Sequence, residues 1–147
     1  MSPRLAQGVV VASLLLVSQQ AGALGVGEVV CPGRLEPDAA VPKGWKRYDP
    51  APITVAAGSL EGIAIYTTSP EDGFRPLAPE QAPSDTTADT WYVRRGPGGG
   101  PGLYVACRYA GTTSLLFQAL PPGLNECVAP RAHAPDGSIK VACNSRR

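Results

Sequence analysis

Apolar and polar residues alternate in short runs along this chain, and proline or glycine bounds almost every run. A period of two is the signature of a strand with one buried face. Residues 59–67 place Leu60, Ala64 and Tyr66 on one face and Ile63 and Ile65 on the other. Residues 90–95 set Trp91 and Val93 against Tyr92 and Arg94, and 103–110 line up Leu103, Val105, Cys107 and Tyr109. Residues 114–120 are apolar on both faces apart from Gln118, which predicts a strand with neighbours on either side. Weaker runs at 28–31, 45–48, 126–129 and 138–143 complete the set. Helical periodicity is almost absent.

The connections agree with this reading. The glycine-rich stretch 96–102 reads as a flexible hairpin loop between two strands, 110–112 as a tight turn, and Asp136-Gly137 as the turn between the last two strands. Residues 69–89 form one long connection rich in proline and acid. Such composition disfavours a ladder, so the loop is expected to be the least ordered part of the domain, with Phe74, Leu77 and Pro79 reaching the core. The fold class expected is mostly β: a small antiparallel β-sandwich or open barrel of seven or eight strands.

The first residues differ in kind. Arg4 precedes a nine-residue apolar run from Val9 to Val17, and Ala21-Gly22-Ala23 follows with the small side chains of a cleavage site. The run is about half the ~20 residues a membrane span needs. Cys31 lacks the small preceding residue of a lipoprotein site, because Val29-Val30 stands there. Residues 1–23 therefore read as a cleaved signal peptide, and 24–147 as a single small β domain exported to the periplasm or beyond the cell, without a stable membrane anchor.

Thirteen basic residues, less Arg4, balance twelve acidic ones over residues 24–147. A neutral, unclustered charge argues against nucleic acid as a partner. Four cysteines, Cys31, Cys107, Cys127 and Cys143, make an even set in a chain read as exported, which predicts two disulfides. Four cysteines allow three pairings. Cys127 and Cys143 lie symmetrically about the turn near Pro135-Asp136, which favours pairing them across a hairpin and leaves Cys31 for Cys107.

Catalytic chemistry is hard to assemble. His133 is the one histidine and lies in a proline-flanked turn, expected to be exposed. No zinc spacing, phosphate loop or nucleophile elbow occurs. Asp136-Gly137 lacks the further ligands of a calcium loop. Carboxylates at Glu71, Asp72, Asp85 and Asp89 belong to the acidic loop, with Trp91 as the nearest aromatic platform. Neither a catalytic residue, a metal nor a cofactor is expected. Trp91 and Tyr109 read as core, while Tyr92 and Tyr104 are candidates for an exposed contact face.

A further pattern runs through Cys31-Pro32, Gly44-Trp45, the strand 62–66, Ser69-Pro70 and Leu77-Ala78-Pro79. It continues through Trp91, the run Cys107-Arg108-Tyr109-Ala110-Gly111-Thr112, Leu120-Pro121, Cys127 and Cys143. This pattern resembles a family of small exported bacterial proteins that carries an "STY" locus-tag name. The resemblance implies an envelope location and disulfides, and no activity.

The function expected is a non-enzymatic binding or inhibitor-like module, monomeric, with a protein or glycan as partner. Small disulfide-bonded β proteins that inhibit lysozymes are a model for the class. A structural component of the envelope is the alternative, and an envelope hydrolase built from the acidic loop a third.

Overall fold

Ten short strands realise the alternating pattern in a computed structural model that describes residues 27–50, 57–73, 75–80, 87–94 and 102–145. They are β1 (Glu28–Cys31), β2 (Arg34–Leu35), β3 (Lys46–Tyr48), β4 (Gly58–Tyr66), β5 (Pro76–Leu77), β6 (Ala88–Tyr92), β7 (Tyr104–Tyr109), β8 (Leu115–Ala119), β9 (Glu126–Pro130) and β10 (Ile139–Asn144). All pairings between them are antiparallel. No α-helix occurs among the described residues, and no helix there is long and apolar enough to cross a membrane. Residues 1–23 lie outside the described residues.

The strands form two sheets. One has the order β1-β10-β9-β6; the other runs β2-β4-β7-β8-β3, with β5 beside β2 on the free edge of β4. The second sheet curls into a half-barrel, so the fold combines features of the sandwich and the open barrel. Inward residues of both sheets meet in one core, among them Val29, Ile65, Trp91, Val105, Leu116 and Val141. β8 is a central strand, as its two apolar faces require: Leu116 joins that core, while Leu115 and Phe117 join a second cluster with Tyr66 and Ala106.

Both disulfides have the favoured pairing. Cys127 and Cys143 stand directly opposite on β9 and β10, with Cα atoms 4.1 Å apart. Cys31 and Cys107 join β1 of one sheet to β7 of the other across 5.6 Å. The turn between β9 and β10 is built as its sequence suggests. Gly137 takes a positive φ of 80°, and Asp136 accepts hydrogen bonds from the Ser138 hydroxyl at 2.6 Å and its amide at 3.0 Å. Those bonds, the hydroxyl's first, hold the Asp136 carboxyl below its usual pKa. The hairpin tip packs so close to Gly33 that a Cβ there would stand 2.5 Å from the Asp136 carbonyl oxygen.

Two expectations about the strands are corrected. Leu60 does not share a face with Ala64 and Tyr66, because Glu61 is an extra residue in the ladder: Leu60 opposes Tyr109 while Gly62 opposes Arg108. The bulge resets the alternation and turns Leu60 inward with Ile63 and Ile65. The stretch 96–102 does not close a hairpin, since β6 and β7 belong to different sheets. The chain crosses between sheets there, and residues 95–101 lie outside the described residues.

The described parts of the connection 69–89 carry bonds to the body of the domain, and residues 74 and 81–86 lie outside the described residues. Ser69 caps a single 3-10 turn at Pro70–Asp72, its hydroxyl accepting from the Asp72 amide and donating to the Asp72 carboxylate at 2.8 Å. Pro76 and Leu77 then pair with Tyr66 and Ile65, and the Glu80 amide donates to Thr90 at 2.7 Å. Proline at a sheet edge leaves no ladder donor missing, which is why β5 tolerates it. Leu77 packs on the core and Pro79 is exposed; Phe74 lies outside the described residues.

Candidate functional site

The curled sheet has a side that does not face the other sheet. The period of two on β3, β4, β7 and β8 sends Tyr48, Ala64, Tyr66, Tyr104, Ala106, Leu115 and Phe117 there as a second apolar cluster. A cavity opens at each end of the β7–β8 pair. The first, about 390 Å³, is bordered by Glu61, Tyr66, Arg108, Thr112 and Ser114. The second, about 350 Å³, is bordered by Lys46, Glu71, Tyr104, Phe117 and Gln118.

Charges frame both openings. Glu61, displaced by the bulge, lies 3.8 Å from Arg108, and both side chains are more than half exposed. Burial raises the pKa of the Tyr66 hydroxyl in the same cavity, and the Arg108 cation partly offsets it. Lys46 lies 4.0 Å from Glu71 and 5.9 Å from the centre of the Phe117 ring. Exposed pairs of this kind add little to stability, roughly 0–1 kcal/mol each. Tyr66, Ala106, Leu115 and Phe117 are themselves buried, at 0–9% exposed, so the cluster is a second core. What this side offers at the surface is the two cavities with the charges beside them.

A third cavity, about 240 Å³, lies between the sheets where Glu61, Asp89, Trp91 and Arg131 approach one another. It gathers two of the chain's carboxylates: Asp89 accepts a hydrogen bond from Arg131 Nε at 2.8 Å, while Glu61 lies 3.8 Å from Arg108 in an exposed ion pair without a hydrogen bond.

The residues singled out from the sequence scatter. Glu71 and Asp72 lie in the 3-10 turn, with Asp72 bonded to Ser69, and Asp89 lies on β6; Asp85 is outside the described residues. Trp91 is core rather than a platform, 4% exposed. Tyr109 is also core; burial pushes its hydroxyl up to about 12, and it donates to the Pro32 carbonyl at 3.1 Å. Tyr104 does belong to the outer cluster, and Tyr92 is half-buried on β6. His133 is exposed as a residue, yet its ring is engaged with β4. Among the described residues no three His, Cys, Asp or Glu side chains gather as a metal site. Lys46, Arg108 and Phe117 went unnoticed in the sequence, although the two apolar faces of β8 were a visible sign of a second cluster.

Comparison with known families adds one finding. The model of a family described as "Type VI secretion system Tli immunity protein" matches residues 55–144. That stretch contains β4 to β10 and three of the four cysteines, and leaves β1 to β3 and Cys31 outside. Nothing was found for the "STY" locus-tag family that the motif run resembles. No curated protein and no solved structure matches the chain.

Proposed function

Because the chain belongs to the Type VI secretion system Tli immunity protein family, we propose that it is a non-enzymatic inhibitor that binds a type VI secretion toxin and neutralises it. The observation that carries this reading is the match over residues 55–144, which takes in both faces of the curled sheet. An inhibitor needs a rigid surface rather than a reaction centre. Two disulfides and a doubly apolar central strand supply the rigidity, and the cavities at the two ends of the β7–β8 pair, with the charges beside them, supply ground for contact.

The place of action is the periplasm. Residues 1–23 have the pattern of a cleaved signal, and two disulfides persist only where the surroundings are oxidising. In that compartment the chain meets an incoming toxin before the toxin meets its target.

The test is a contest between sister cells. A strain lacking this gene is expected to be outcompeted by its parent when the parent's type VI apparatus is active, and to survive when that apparatus is disabled. Supplying the full chain in trans restores survival, whereas a chain without residues 2–23 does not. Equal survival of the deletion strain against both attackers would refute the proposal.

A further inference from the structure

The bulge in β4 leaves one arginine with room around it. Glu61 is the extra residue of the ladder, so Gly62 stands opposite Arg108 of β7. Opposed residues share a face, and a Cβ added at Gly62 would meet no atom within 4 Å, so the space beside Arg108 on that strand is open. On its other side Arg108 opposes the buried Leu115 of β8. Between them the Arg108 side chain is 57% exposed.

Arg108 lines the cavity of about 390 Å³ at the β7–β8 turn, together with Glu61, Thr112, Thr113, Ser114 and Leu115. The walls supply hydroxyls beside a cation. Ser114 is 5% exposed; its amide donates to Thr112 Oγ1 at 3.0 Å, and its own hydroxyl makes no hydrogen bond among the described residues. Arg108 Nη2 has an anion near it, Glu61 Oε2, but at 3.8 Å the two do not form a hydrogen bond. A guanidinium normally meets a carboxylate at about 2.7–2.9 Å, and with two N–H groups at once. The chain's own carboxylate therefore shows what Arg108 attracts, without closing on it. The two partners are not equally fixed. Arg108 is rooted in a central strand with neighbours on both sides, whereas Glu61 sits on the unpaired bulge. When they part, Glu61 is the one that turns to solvent.

We propose that this cavity receives a carboxylate of the toxin: an Asp or Glu side chain on a toxin loop displaces Glu61, binds Arg108 through both oxygens and accepts from the Ser114 hydroxyl in the cavity wall. The inference rests on the inhibitor reading above and names a contact that serves it. The pair that is broken is exposed and holds little free energy. The pair that is made is bidentate, in a cavity that the docked toxin closes to water, where charge-assisted bonds are strongest. Other occupants fit worse. A cationic side chain would meet Arg108 as a like charge, and an apolar one would leave the guanidinium and the Ser114 hydroxyl covered without acceptors.

The experiment uses the same sister-cell contest with the chromosomal gene altered to encode Arg108→Gln, Glu61→Gln or Thr113→Glu, beside wild type and deletion. Periplasmic amount is measured for each variant. The two halves of the ion pair are expected to behave differently at wild-type amount. Arg108→Gln loses about tenfold or more in survival, while Glu61→Gln does not, because it removes only the competitor for Arg108. Equal loss in both shows that the pair matters as a pair and overturns the proposal, as does full protection by Arg108→Gln. If Arg108→Gln fails to accumulate, Thr113→Glu decides. This exposed turn residue is changed without touching the core, and its new carboxylate at the cavity wall competes for Arg108. Loss of protection then supports the site, and full protection overturns it. A deletion strain that survives the parent's attack overturns the inhibitor reading itself, and the site with it; a deletion strain that dies beside a protected Arg108→Gln strain overturns the site alone.

Discussion

The Nε2 atom of His133 lies 3.0 Å from the carbonyl oxygen of Leu60, which joins the β9–β10 hairpin tip of one sheet to the bulged strand of the other. Leu60 is held from both sides, since its amide donates to the Gly33 carbonyl at 2.9 Å. The histidine is thus a clasp between sheets, 73 residues from its partner along the chain.

Replacing it tests that role. His133→Ala removes one partly buried hydrogen bond and is expected to lower unfolding free energy by about 0.5–1.5 kcal/mol. Chemical denaturation of the purified domain measures this. Protection in the sister-cell contest should not change, because the contact serves the frame and not the toxin.

The two disulfides differ in what they constrain. Cys31–Cys107 closes a loop with a separation of 76 residues, against 16 for Cys127–Cys143. Chain entropy scales with the logarithm of loop length, so losing the first should cost about 1.4 kcal/mol more than losing the second. Paired serine variants, Cys31→Ser with Cys107→Ser and Cys127→Ser with Cys143→Ser, compared by denaturation, give the difference directly. An equal cost would show that the inter-sheet bond acts on something other than the unfolded chain.

Tyr109 predicts an alkaline limit. Its hydroxyl is raised from about 10 in the unfolded chain to about 12 in the folded one, because burial disfavours the phenolate. The folded state then binds more protons than the unfolded state between those values, so stability is full below pH 10 and falls as pH rises toward 12. Tyr66, raised in the same direction, adds to the fall. Unfolding free energy measured from pH 8.5 to 11.5 should show the decline, and Tyr109→Phe should flatten it while removing the bond to Pro32. A wild-type profile that stays level through pH 11.5 would contradict the assignment.

The exported protein should begin near Leu24. Intact-mass measurement of material from the periplasm checks this, with residues 1–23 retained as the result that would exclude cleavage there.

Much of this molecule was legible in one dimension. Strand positions follow from local alternation, so β4, β7, β8, β9 and β10 appear in the sequence within a residue or two of where they form. The Cys127–Cys143 bond is legible for the same reason: equal spacing about one turn is a local matter. Even the second cluster is foreshadowed by Leu115, Leu116 and Phe117, three apolar residues in a row that cannot share one face.

Other features depend on which strands meet. The Glu61 bulge is invisible to a period-two reading, because an extra residue is defined only by the partner strand that lacks it. β6 and β7 look like a hairpin across the glycines, yet each finds its partner elsewhere, β6 on β9 and β7 on β4 and β8. The strands β2 and β5 are two residues long and exist only because the edge of β4 offers unpaired backbone groups to whatever chain passes. The Nη2 atom of Arg47, on the edge strand β3, is buried without a hydrogen-bond partner and belongs to the same class. The sequence determined which residues are strands and which cysteines face a turn, since these are settled by neighbours along the chain. The sheets that the strands join, and the donor left bare at their edge, were decided by contacts among residues far apart in sequence, whose pairing is chosen by total burial and backbone satisfaction rather than by local pattern.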